Sequence, residues 1–265
     1  MNWIKFSQWL LKGCLAIALL LTASIANATL IFAQNEGSEN NERSEILFEP
    51  PDKGTPHSED GTGSRGDCPI VELGMKSIVG ENSRFQSAAN PYPTFWVYVP
   101  YTRDDVPTGK FVLQDEAGEN QFWETDFQLP EKTGIVGITL PTSEQPLVPG
   151  KVYRWYFEVN CPGKSSNEQI TPISVTGLVE FVPRPELQNQ LNSTSPSIER
   201  VKIYAENGIW YDTITELIKL REELPENRDY ENSWIELLSN DKVRLNKWAE
   251  QPIVEAEIIT NSPPK

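Results

Sequence analysis

The sequence predicts a mainly β body with a C-terminal α-helical part, and three observations carry that prediction. Between Cys68 and Pro183, short runs of β-forming residues alternate with Pro/Gly punctuation. Within those runs the large apolar residues recur with period two, the spacing of strands that bury one face. From Glu186 onward the apolar spacing lengthens to that of helices. Seven short strands with no long helical pattern between them make an antiparallel β-sandwich of immunoglobulin-like size.

The candidate strands are residues 71–79, 94–99, 110–114, 122–129, 134–140, 152–160 and 173–182. Turn-forming clusters separate them, including Pro91-Tyr92-Pro93, Pro107-Thr108-Gly109, Asp115-Glu116-Ala117-Gly118 and Pro149-Gly150. On one strand Phe95, Val97 and Val99 point one way and Trp96 and Tyr98 the other. On another, Tyr153, Trp155, Phe157 and Val159 oppose Arg154 and Glu158. Trp123, Thr125, Phe127 and Leu129 repeat the period.

Pro183-Arg184-Pro185 ends the last strand, and helical spacing follows over 186–191, 197–207, 211–224 and 230–239. Ser195 before Pro196 reads as an N-cap, Asn207-Gly208 as a C-cap, and Pro225 as a stop. Ile214, Leu217, Ile218 and Leu224 share one face of the longest helix.

The chain divides into a signal peptide (1–28), a disordered acidic linker (29–66), the sandwich (67–184), a helical region (185–250) and a disordered tail (251–265). Lys5 and Lys12 precede an uncharged apolar run, and Ala26-Asn27-Ala28 offers a small-x-small cleavage site. The expected address is therefore outside the cytoplasm, in the periplasm, the envelope or beyond. An uncleaved anchor over residues 13–33 is the rival reading, and membrane contact is expected only in that case. Between Gln34 and Gly66 only Ile46-Leu47-Phe48 is apolar, one sticky spot able to dock on a neighbour. Removing residues 1–28 takes away two lysines and no acid, so the net charge moves from −15 to −17. That acidity excludes nucleic acid as a partner, because phosphate needs a basic footprint.

Several separated motifs carry a family resemblance. They are Phe48-x-Pro50-Pro51, Gly63-Ser64-Arg65-Gly66-x-Cys68-Pro69, Pro93-Thr94-Phe95-Trp96-Val97-Tyr98-Val99-Pro100, Tyr153-Arg154-Trp155-Tyr156-Phe157, and the stretch from Tyr204 through Asn207-Gly208-Ile209-Trp210-Tyr211-Asp212. Across residues 46–250 the chain resembles the cyanobacterial exported proteins that carry the domain of unknown function DUF928. The resemblance implies a cyanobacterial source and a sandwich followed by helices. It implies no activity. Gly208, Trp210 and Pro225 also resemble the second half of a tetratricopeptide repeat. One such degenerate unit must bury its face on the sandwich or on a partner.

The chemistry open to the chain is narrow. Its single histidine, His57, lies in the linker, so imidazole-dependent hydrolysis and His-zinc sites have no residue in the folded part. No phosphate loop or dinucleotide fingerprint is present, so no cofactor is expected. A carboxylate-dependent hydrolase survives that filter through Glu124 and Asp126, which share a strand face beside Trp123. The competing reading is a solvated outer face. Asp104-Asp105, and Asp115-Glu116 with Glu119, are loop acids able to chelate calcium between strands, but their spacing matches no calcium loop and turns favour Asp on backbone grounds, so calcium is the minority reading and no metal site is assigned.

Cys68 and Cys161 are the two cysteines left once residues 1–28 are removed. In an exported chain they most simply form one disulfide; two free thiols or a redox pair are the alternatives. Trp96, Tyr98, Trp123, Trp210 and Tyr211 make a candidate binding surface for a glycan or a protein partner. The other reading is that the helices cover Trp96 and Tyr98 with Trp210, Tyr211 or Trp234. The expectation is thus an exported, non-catalytic interaction or scaffold protein of the cell envelope.

Overall fold

A computed structural model of the chain describes residues 46–50, 68–80, 86–161 and 172–259. Residues 1–28, where a signal peptide is expected, the rest of the expected linker with His57, and residues 260–265 lie outside the described residues. Among the described residues there are nine strands and four α-helices. The strands are β1 (Lys76–Ser77), β2 (Ser87–Ala88), β3 (Thr94–Val99), β4 (Thr108–Asp115), β5 (Gln121–Gln128), β6 (Gly134–Thr139), β7 (Val152–Val159), β8 (Ile173–Phe181) and β9 (Glu257–Ile259). The helices are α1 (Pro185–Asn192), α2 (Ile198–Glu206), α3 (Trp210–Glu223) and α4 (Arg228–Ser239), with a 3-10 turn at Asn246–Trp248.

The strands form two sheets, ordered β1-β3-β6 and β2-β8-β7-β4-β5-β9. All pairings are antiparallel except β2 on β8. The two sheets pack face to face over one apolar core, because each strand turns its period-two residues inward. Phe95 of β3 lies 4.8 Å from Phe111 of β4 and 5.7 Å from Trp155 of β7, centroid to centroid. Tyr153, Trp155, Phe157 and Val159 are all buried, while Arg154 and Glu158 face away. Between Leu113 and Gln114 the β4–β5 register slips. That bulge lets the consecutive rings of Phe122 and Trp123 both pack against the core.

The reverse face of the three-stranded sheet carries the helices. Trp96, Tyr98 and Ile135 pack there against Trp210, Ile214, Leu217 and Trp234. A three-stranded sheet covered on both faces explains why β3 is apolar on both faces. Gly208 has φ 68°, and Ile209 N–H returns to Tyr204 O at 3.0 Å, so α2 ends where Asn207-Gly208 predicts. Ser197, not Ser195, caps α2, which starts beyond Pro196. The sticky spot of the linker is docked: Ile46 and Phe48 are buried, and the Phe48 ring meets Trp210 edge-on at 5.0 Å. No helix among the described residues is long and apolar enough to cross a membrane.

Two local expectations change, and one strand arises where none was expected. Of the strand expected at 71–79, only Lys76–Ser77 forms a ladder, extended by one bond from Ile78 N–H to Trp96 O at 2.8 Å. β2 is two residues long, too short to show a period. The second change lies in the stretch read as a disordered tail, which instead forms a strap across both sheets. Ile135 N–H donates to Pro252 O at 2.7 Å and Val254 N–H to Ile135 O at 2.9 Å, which adds the strap to β6. Three residues later β9 pairs with β5, Phe127 opposite Ile258. One edge of each sheet, β6 and β5, is thereby covered by one short segment.

Gly134 makes room for the strap. A Cβ there would stand 2.5 Å from Pro252 O and 2.9 Å from the Val254 methyls. Gly134→Ala is expected to lift the strap at a cost of about 1–3 kcal/mol. The check is faster amide exchange at Ile135 and Val254, with protection in β7 unchanged.

Candidate functional site

Cys68 and Cys161 form the disulfide, with their Cα atoms 5.0 Å apart and a sequence separation of 93. It ties the segment before β1 to the end of β7, and Cys161 is buried in the core. Of the five aromatic residues proposed as a binding surface, three are buried and two are partly buried. Tyr98 is 5 % exposed, Trp210 1 % and Tyr211 2 %. Trp96 is half-buried beneath the helices, with its indole N–H on Thr215 Oγ1 at 3.0 Å. Trp123 packs on the sheet core, 5.5 Å from Phe111. The correction has a simple cause: the helices supply the second cover for β3.

These rings are instead the joints between layers. Trp210 and Tyr211 follow each other at the start of α3, so their side chains diverge by about 100°. Trp210 reaches the helix core and donates to Ile78 O at 2.9 Å. Tyr211 reaches the sheet core, accepts from Trp155 Nε1 at 2.7 Å and donates to Leu178 O at 2.7 Å. Burial raises the Tyr211 phenol far above its ordinary value, so it stays protonated and keeps donating.

The carboxylates of the outer sheet face are engaged separately. Glu124 is paired with Lys110 at 3.3 Å, and Asp126 lies opposite Ile259 of the strap. Asp115 spends its oxygens inside the β4–β5 turn, on Glu119 N–H at 2.8 Å and the Asn120 amide at 2.6 Å. Those bonds hold its carboxyl below the usual range. Asp105 Oδ2 likewise caps Thr102 N–H at 3.1 Å. Asp105 and Asp115 therefore fasten turns.

The concave polar site lies elsewhere, a cleft of about 450 Å³ where α2 and α3 meet the loop between β2 and β3. The turns of α3 that lie away from its apolar face supply Asp212, Thr215, Glu216 and Lys219 in i, i+4 rows. From α2 come Arg200 and Tyr204, and from the loop Asn90 and Tyr92. Arg200 Nε reaches Glu216 Oε2 at 3.3 Å, and Nη1 serves Leu191 O at 2.8 Å and Thr194 O at 3.3 Å. Lys219 stands 3.6 Å from Glu216. Burial, with Asp212 and Glu216 nearby, pushes the Tyr204 phenol up to about 12.

Asp212 is the unusual member. It is buried, and its Oδ2 accepts Ala89 N–H at 2.7 Å. Burial raises its carboxyl to about 6, with Glu216 adding to the rise, against the Ala89 and Asn90 amides and Lys219. Sequence reasoning missed this cleft. The available signal was Asp212 and Glu216 at i, i+4 on one helix, an unfavourable pair unless the fold supplies partners.

The sign of the Asp212 effect is fixed by that rise. A carboxyl that holds its proton more tightly when folded adds stability below about pH 4, and this is lost as pH rises through about 6. Asp212→Asn keeps an acceptor for Ala89 N–H and removes the charge. Denaturant midpoints are therefore expected to fall between about pH 4 and 6 in the native chain, and to fall less in the variant.

No curated protein matches the sequence. The family described as Domain of Unknown Function (DUF928) matches residues 60–253, a span that includes the disulfide, both sheets up to the strap, and the whole cleft. The chain belongs to the DUF928 family.

Proposed function

We propose that this protein is an exported, non-catalytic interaction protein of a cyanobacterial cell envelope. In this reading the two sheets are an immunoglobulin-like scaffold, and α2 with α3 is a degenerate tetratricopeptide-like unit that packs on it in cis. The single observation that carries the reading is the Cys68–Cys161 disulfide. Such a bond persists where thiols are not kept reduced, and it agrees with the secretory pattern of residues 1–28. The strongly acidic net charge supports a soluble, mutually repelling surface rather than one that adsorbs to anionic lipid.

Cell fractionation with N-terminal sequencing and thiol trapping tests the export part. Material outside the cytoplasm that begins after Ala28, with both cysteines protected, is the expected result. An intact leader on cytosolic protein with reduced cysteines overturns it. Affinity capture from envelope extract tests the interaction part, and recovery of no specific protein counts against it. The glycan reading that used Trp96, Tyr98 and Trp123 has no exposed platform to rest on, because those rings are packed under helices or into the sheet core. The hydrolase reading finds Glu124 committed to Lys110.

A further inference from the structure

We propose that the cleft between α2, α3 and the β2–β3 loop binds a neutral polyhydroxylated ligand, a saccharide, through Asp212, Thr215, Asn90 and the ring of Tyr92. This goes beyond the envelope reading and uses none of the aromatic residues first singled out for it. The cleft's volume of about 450 Å³ falls within the range of small-molecule sites, about 300–1,000 Å³.

The charges of the cleft cancel one another. Arg200 and Lys219 face Asp212 and Glu216, and the guanidinium is already engaged by Glu216, Leu191 O and Thr194 O. An anionic ligand would meet two carboxylates and no uncommitted guanidinium. A cationic one would meet Arg200 and Lys219. What remains is a mixture of single donors and single acceptors. Thr215 Oγ1 accepts from the Trp96 indole, so its own hydroxyl proton is left to give. Asn90 Oδ1 accepts Tyr92 N–H at 2.9 Å, which leaves its NH₂. Gln188 gives its NH₂ to Asn192 at 3.1 Å, which leaves its carbonyl. Thr94 and Thr139 share one hydroxyl bond at 2.8 Å at the rim. A sugar hydroxyl donates and accepts at once, so it matches both kinds of residual valence. Tyr92, flanked by Pro91 and Pro93, supplies an apolar wall for the C–H face of a pyranose.

Asp212 is the independent pointer. Its structural task is to accept the Ala89 and Asn90 amides, and an asparagine oxygen could take the Ala89 amide without carrying a charge into a buried place. A carboxylate has about four acceptor positions, and two of them are taken by these amides. The remaining ones give a charge-assisted bond to a ligand hydroxyl, stronger than an amide oxygen gives.

The test is two-dimensional amide NMR on the full folded chain, titrated with maltose, cellobiose, trehalose and N,N′-diacetylchitobiose to about 10 mM. That concentration still fills a site of about 4 kcal/mol. Saturable shifts at Asn90, Tyr92, Thr215 and Asp212 for at least one sugar are expected. Asp212→Asn and Tyr92→Ala are each expected to weaken that binding about tenfold. Near-UV circular dichroism establishes that each variant is folded, and the native titration maps the site even where one is not. No shift with any of the sugars overturns the proposal. So do shifts elsewhere, saturable shifts there with inorganic phosphate or glycine instead, or sugar binding unchanged in a folded variant. None of these outcomes bears on export or on capture of a protein partner, so the two readings fail separately.

Discussion

Trp210→Ala is expected to cost about 3–5 kcal/mol, the range for deleting a fully buried large aromatic side chain. In a domain of this size that corresponds to a fall in Tm of roughly 6–20 °C. Three losses combine. The helix core loses its central ring, Phe48 loses its edge-on partner, and Ile78 O loses its donor. Trp210→Phe separates them: it keeps most of the packing and strands the Ile78 carbonyl, for about 1–3 kcal/mol. Thermal unfolding with limited proteolysis near Ile46 and Phe48 reads both effects. A ring kept on the surface for binding would change stability by no more than about 0.5 kcal/mol when removed. A result that small would contradict the layered packing described above.

Breaking the disulfide is expected to cost a similar amount. For a loop of 93 residues, the chain-entropy treatment gives about 4–5 kcal/mol of stabilisation through the unfolded state. Cys68→Ser with Cys161→Ser, compared with the oxidised chain by urea unfolding, should show a lower midpoint. The double replacement matters, because Cys161 is buried and a lone thiol there invites mispairing. The same comparison between oxidised and reduced native protein should give the same ranking. Equal midpoints would mean that the segment before β1 is held by packing alone, through Val71 and Met75.

The alternation on β3 and β7 was legible because period two survives wherever a strand has one buried face. Phe95, Val97 and Val99 against Trp96 and Tyr98 even announced two different covers. What the pattern left open was which cover, and the aromatics on the second side belong to helix packing rather than to a ligand surface. The four helices were legible within a few residues, since Pro185, Gly208 and Pro225 mark their ends in one dimension. β2 and the strap were not, and β1 was read only as part of a longer strand. Each is two or three residues long and exists only because a distant strand presents an edge, so no local period records it. Asp212 was hidden for a different reason. Its burial depends on the Ala89 and Asn90 amides, supplied by a loop more than a hundred residues away in the chain.

The segment that pairs with β6 at Pro252 and Val254, and then with β5 at Ile258, emerges last among the described elements. A nascent chain therefore completes most of its apolar interior, all but the contacts of Ile253, Val254 and Ala256, before it has blunted two bare rims. Until then each rim can recruit a strand from a neighbouring molecule. Terminating the chain ahead of Pro252 would make that interval permanent, and the truncated product would assemble side by side through β5 and β6.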